Sequence, residues 1–211
     1  MKIALTQRDL SIMKWLNSFG FATTTQIARQ FKMHPKSAYA RLKKLAANNY
    51  FIFERLFHAK PGLYRATKFA TDLTGDLLPP IKKINLAEVH HDLQVIDVSL
   101  KLQQMHCGEF TTERELRHQK GITGVGVRGH ICDGVLKLGD KKIAIEIERT
   151  TKSKARLEKI FKEYLKSTDY QEVWYFCENQ AIYRSLEKYA VKNKRIKLHL
   201  TNDLIGGNNY V

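Results

Sequence analysis

In the stretch HICDGVLKLGDKKIAIEIERT, from His130 to Thr150, three acids interrupt an apolar pattern: Asp133, Glu146 and Glu148. With a period of two, Ile143, Ile145 and Ile147 share one face of a strand, while Ala144, Glu146 and Glu148 share the other. A turn at Gly139-Asp140 brings Asp133, on the neighbouring strand, within reach of the same face. Buried like charges this close are costly unless something positive offsets them. Hard divalent cations such as Mg²⁺ or Mn²⁺ take carboxylate oxygens and keep waters, so a metal held by Asp133, Glu146 and Glu148 is the natural compensation. A solvated acidic face paired with lysines accounts for the two glutamates. It accounts less well for a lone Asp133 followed by Gly134 inside the apolar partner strand.

The flanking sequence supplies the elements that would position these acids. From Leu86 to about His106 the spacing predicts a helix with two apolar seams, hence one packed deep in its domain. His91 and Asp97 lie on or beside those seams and read as satisfied buried polar residues. EFTTERELR is expected to be a first strand with Glu113 and Glu115 on one face. The glycine-rich KGITGVGVRG lacks the G-x-x-x-x-G-K-[ST] pattern of a phosphate loop and is expected to be a loop touching substrate. SKARLEKIFKEYLKS is an amphipathic helix with Leu157, Ile160, Phe161, Tyr164 and Leu165 inward, and Lys152, Arg156 and Lys159 at its start or flank. EVWYFC is a buried strand, and helix 180–192 and strand RIKLHL follow, giving an α-β-β-β-α-β order.

The first half of the chain is different in charge. Residues 1–85 hold 15 Lys and Arg against 4 Asp and Glu, whereas residues 86–211 hold 21 against 17. That concentration of positive charge suits a polyanion, nucleic acid first. Here Thr6 and Asp9 start a helix that Gly20 ends, TTTQIARQF gives a short second helix, and Pro35 opens a third. In the third, Ala38, Leu42 and Leu45 face inward, leaving Lys36, Ser37, Arg41 and Lys44 outward as a DNA-reading surface. YFIFERLF and LYRAT form a two-stranded wing, with Arg55, Lys60 and Arg65 placed to meet phosphates. The spacing therefore predicts a winged helix-turn-helix over 1–80, a linker near Pro79-Pro80, and a second domain over 86–205.

No apolar run approaches a membrane span, and MKIALTQRDL lacks the apolar stretch of a secretory signal. Three widely spaced cysteines form no CxxC pair, which argues against a disulfide framework and for a cytoplasmic protein without a membrane partner.

HHDLQVIDVSLKL, TERELR, CDGVL, IAIEIERTTKS and LEKIFKEY, in this order, resemble the replication-relaxation family, which pairs a winged helix with a core like that of the PD-(D/E)XK restriction endonucleases. That family includes the MobC-type plasmid mobilization relaxases. The resemblance implies an α/β (α+β) fold and Mg²⁺- or Mn²⁺-dependent nicking of supercoiled plasmid DNA at an origin of transfer, with an accessory mobilization protein as a further partner. It implies that Asp133 and Glu146 bind the metal, with Glu148 standing where the superfamily usually has a lysine. A lysine on the following helix then substitutes, Lys159 first and Lys152 second. Glu115 matches an upstream acid, and His91 a histidine of the first core helix.

Two other readings stay open. One is a DNA-binding replication or transcription regulator whose nuclease-like core is inert. The other is a tyrosine-linked relaxase using Tyr164 or Tyr170; the eight histidines are scattered rather than clustered as the HUH relaxases require.

Overall fold

The first three helices begin where the sequence supplies a cap or a proline. The Thr6 hydroxyl accepts from the Asp9 N–H and the Asp9 carboxylate from the Thr6 N–H, which starts α1 (Gln7–Phe19). Thr23 and Gln26 repeat the device at α2 (Thr24–Gln30), and Pro35 takes the first position of α3 (Pro35–Ala47). The computed structural model describes residues 3–122 and 130–206. The chain divides into two compact units between Ile96 and Asp97.

In the first unit, β1 (Ala22–Thr23), β2 (Phe51–Glu54) and β3 (Leu63–Ala66) form an antiparallel sheet in the order β1-β3-β2, followed by α4 (Lys68–Thr74). Ile12, Leu16, Ile27, Leu42 and Leu45 are fully buried. The Ala38, Leu42 and Leu45 stripe of α3 thus faces inward, as the periodicity predicts. Lys36, Ser37 and Lys44 of α3 and Arg55 after β2 are exposed, and Lys60 is half-buried.

Two of the expected DNA-contacting arginines are engaged within the unit. The Arg41 guanidinium holds both oxygens of buried Asp9 and also donates to the Ala4 carbonyl at 2.8 Å. Arg65 pairs with Glu54 on the adjacent strand and donates to the Ile81 carbonyl at 3.2 Å. A fork of fixed N–H donors fits a carboxylate in two places at once, so an arginine within reach of a buried acid is captured by it.

The division between the units falls inside α5 (Val89–His106), rather than in the proline-containing stretch before it. The first half of α5 is tied into the first unit: the buried Gln26 amide donates to the Leu93 carbonyl at 2.9 Å. Leu86 and Met105, near the two ends of the stretch expected to be a deeply packed helix, are exposed. Among the described residues no helix is long and apolar enough to cross a membrane.

The second unit is a mixed five-stranded sheet, order β4-β5-β6-β7-β8: β4 (Glu109–Thr112), β5 (Gly134–Leu138), β6 (Lys141–Glu148), β7 (Glu172–Cys177) and β8 (Ile196–Leu200). β4, β5 and β6 are mutually antiparallel, whereas β6, β7 and β8 run parallel. The parallel crossovers are α7 (Lys154–Lys166) and α8 (Gln180–Ala190), and α9 (Thr201–Ile205) follows β8. α7 and α8 cover the face carrying Val135, Ala144, Tyr175 and Cys177. Leu165 of α7 is exposed rather than inward.

EFTTERELR is not one strand. β4 stops at Thr112, and α6 (Glu113–Gln119) begins there. The reason is again a cap: Thr112 and Glu115 form a T-x-x-E box, the Glu115 carboxylate accepting from the Thr112 N–H at 2.8 Å. Leu138 pairs with Lys141 across the expected Gly139-Asp140 turn, where Gly139 takes a left-handed φ of 59° that a Cβ would strain. The Phe110 ring closes over Gly134, where an added Cβ would come within 2.2 Å of it, so Asp133 is followed by the one residue that fits. Of the glycine-rich loop, residues 123–129 lie outside the described residues.

Asp9 sets a measurable acid dependence. Burial pushes its pKa up, but Arg41 and the Thr6 contacts outweigh that and hold it below the ordinary carboxylate value. A depressed folded pKa stabilises fully above the unfolded value, about 3.9, and the contribution is lost as pH falls through the folded value. Asp9→Asn is expected to lower stability at neutral pH by about 1–3 kcal/mol and to flatten the acid limb of a urea-denaturation series run against pH.

Candidate functional site

The three acids of the opening stretch converge at the carboxyl end of β6. β6 alternates as its sequence predicts, so Glu146 and Glu148 point to the face covered by α7, and both are buried, at 2% and 3% exposure. Asp133 immediately precedes β5. The Gly134–Ile145 pair, carried one residue further, sets it opposite Glu146. Its Oδ2 accepts from the Ile147 N–H at 2.6 Å, which fixes the carboxylate against the acidic strand.

Glu146 Oε1 is held by two groups, the His130 Nε2 and the Tyr164 hydroxyl. The two rings meet edge to face at 5.5 Å. The His130 N–H in turn donates to Glu163 of α7 at 3.1 Å, which anchors the segment leading to Asp133. Burial lowers the His130 pKa, but the Glu146 carboxylate outweighs it, so the imidazole is raised above its usual value. Tyr164 is raised well above the ordinary tyrosine value, first by burial and then by the Glu146 charge. Nearby, the Cys132 Sγ–H donates to the Tyr170 hydroxyl at 3.8 Å, and burial with the Glu146 charge pushes that thiol up to about 12. Burial likewise raises Tyr170. Groups held protonated in this way are poor nucleophiles, which weighs against the tyrosine-linked reading.

Glu148 is paired with the Lys152 ammonium, four residues on, in the turn before α7. Its pKa is nonetheless raised: burial dominates, Lys152 opposes it, and the charges of Glu146 and Asp133 add to it. The carboxylates therefore repel one another, with Lys152 as the nearest opposing cation.

Of the expected site residues, the structure gathers Asp133, Glu146, Glu148 and Lys152. Lys159, the first choice for the lysine, is exposed on α7, whose inward stripe is Leu157, Ile160, Phe161 and Tyr164. Lys152 stands on Glu148 instead because it precedes the helix, where the chain is still leaving the strand end. Glu115 is occupied in the α6 cap, although the Glu113 N–H beside it donates to the Asp133 carbonyl at 3.2 Å. His91 belongs to the first unit, half-buried, with its Nδ1 3.2 Å from the Asp92 carboxylate. Asp97 is fully buried, as expected.

Sequence reasoning missed His130 and Tyr164 as partners of Glu146. A tyrosine on an otherwise apolar helix stripe was the available signal, because a buried phenol needs a hydrogen-bond partner beneath it.

The donor chemistry, three oxygen-bearing carboxylates with mutual repulsion, suits a hard divalent cation. Among the described residues, however, no group of three or more His, Cys, Asp or Glu is spaced to hold one. A bound ion would take over oxygens that now accept from His130, Tyr164, Lys152 and Ile147.

A raised folded pKa stabilises below the unfolded value, about 4.3, and that stability is lost as pH rises through the folded value. Glu148 therefore opposes folding at neutral pH. Glu148→Gln is expected to raise the thermal midpoint at pH 7 by about 2–4 °C, with the gain vanishing near pH 4 in scanning calorimetry. Compared with family models, curated proteins and solved structures, the chain matches none, and its functional reading rests on this arrangement.

Proposed function

We propose that the chain is a Mg²⁺- or Mn²⁺-dependent DNA endonuclease that nicks supercoiled plasmid DNA at an origin of transfer. The observation that carries the endonuclease part is the convergence of Asp133, Glu146 and Glu148, two of them buried, with Lys152 at one strand end. The origin of transfer comes from the family resemblance alone.

In this reading Asp133, Glu146 and Glu148 hold the divalent ion. When bound, the ion polarises the scissile phosphate and makes its water a better nucleophile. His130 and Tyr164 fix the orientation of Glu146. Lys152 offsets the charge on Glu148 and places an ammonium where charge develops on the phosphate, a role worth most in a site shielded from water. The first unit supplies register. Its helix-strand-helix-helix-strand-strand order is the one a winged helix has, and Lys36, Ser37, Lys44 and Arg55 are exposed to meet the backbone. Arg41 and Arg65 take no part as free contacts, because Asp9 and Glu54 hold them.

One observation favours a second reading, a DNA-binding regulator with an inert core. Each acid already has a protein donor, and the described residues form no ready metal cage.

Supercoiled plasmid carrying the cognate origin, incubated with protein and Mg²⁺ or Mn²⁺, decides between them. Nicking that falls to background in Asp133→Ala and Glu146→Ala supports the endonuclease. Nicking that survives both substitutions rules out the site, and tight binding without cleavage in either metal supports the regulator. For the first unit, Lys36→Ala and Lys44→Ala are each expected to reduce the slope of log affinity against log salt by about 1, measured by fluorescence anisotropy on duplex DNA.

A further inference from the structure

A second feature lies on the same edge of the sheet as the acids. The parallel register pairs Glu148 with Cys177 and Cys177 with Leu200, so the carboxyl ends of β6, β7 and β8 share that edge. At the outer end of that edge is a cavity of about 460 Å³, lined by Phe176 and His199 from the sheet face opposite Glu146 and Glu148, and by Gln180, Tyr183, Asp203 and neighbouring leucines. Its volume falls in the range of small-molecule sites, about 300–1,000 Å³. Ligands of open α/β sheets characteristically bind outside the carboxyl ends of the strands.

The lining specifies what fits. Three of its side chains are rings. His199 stacks on Phe176 at 5.1 Å and 21°, whereas Tyr183 has no ring partner among the described residues. Burial, then Lys197, push the imidazole below its ordinary range against the pull of Glu172, so it is a neutral ring. Its Nε2 is buried with no hydrogen-bond partner among the described residues. Gln180 and Asp203 are exposed polar groups at the mouth. Among the described residues Asp203 is the only charged side chain of the lining, and it is an acid, which disfavours a phosphate or carboxylate ligand. An amide and a carboxylate beside stacking rings suit a planar heteroaromatic edge that carries an amino group.

We propose that this cavity takes one unpaired nucleobase of single-stranded DNA that passes over the outer end of the sheet edge from the cleavage position, and prefers bases with an exocyclic amine over thymine. The inference rests on the endonuclease reading for its substrate, and it makes Asp203 and Gln180 specificity-determining residues. Stacking on Tyr183 supplies sequence-tolerant affinity, while the Asp203 carboxylate accepts from the amino group of adenine, cytosine or guanine.

The test is binding of the full chain to short labelled single-stranded oligonucleotides in EDTA, where cleavage plays no part. Adenine-containing strands are expected to bind about tenfold more tightly than thymine-only or abasic ones. Asp203→Ala and Gln180→Ala, at exposed positions and leaving no acceptor there, should erase that preference while leaving duplex binding unchanged. Tyr183→Ala should weaken every base-containing strand at least fivefold. Unchanged base preference in both exposed variants overturns the proposal. So does a cavity that takes free nucleoside monophosphate, seen by competition, while the variants leave strand binding untouched. Nicking with an unaltered preference in Asp203→Ala would sink the pocket and leave the endonuclease standing. A preference lost in Asp203→Ala, in a protein that never nicks, would do the reverse.

Discussion

Placing two carboxylates on the covered face of one strand is the constraint to which the second unit is built. Glu146 and Glu148 are almost without exposure, and a buried charge must be paired, hydrogen-bonded or neutralised. The surrounding choices follow from that requirement. His130 and Tyr164 converge on Glu146, Lys152 leaves the strand end to reach Glu148, and Asp133 is drawn against the β6 backbone through the Ile147 N–H. The arrangement satisfies the acids only in part, because Asp133 and Glu146 still raise the Glu148 pKa.

Much of this was legible in the chain because period-two alternation is a strong signal when one face is buried. The single run from Lys141 to Glu148 placed both glutamates on one face, and the Gly139-Asp140 turn placed Asp133 near them. The misses have local physical causes. TTERELR reads as a strand by its flanks, yet the Thr112–Glu115 cap makes it a helix start, and a cap that closes over four residues outweighs a weak alternation. Lys159 looked better placed than Lys152 because helix spacing predicts faces but not how the chain leaves a strand. His130 was invisible as a partner, since its contact with Glu146 spans sixteen residues and depends on tertiary packing.

The first unit shows the complementary lesson. Its helices and three-stranded sheet follow from caps, a proline and an apolar stripe that were all readable. What net charge could not reveal is which cations are available. Arg41 and Arg65 count toward a basic half of the chain, but each is committed to an acid of its own unit. Formal charge measures a field at long range, whereas contact at short range depends on the donors left over.

The Gly139-Asp140 turn joins β5 and β6 at the end of the strands opposite Asp133 and Glu148, and both of its residues are exposed. Antiparallel pairing thereby separates the hairpin's connection from its acidic end by the length of the strand. The turn is a natural handle: a fluorophore or affinity label carried there would report on the unit from the side remote from its carboxylates.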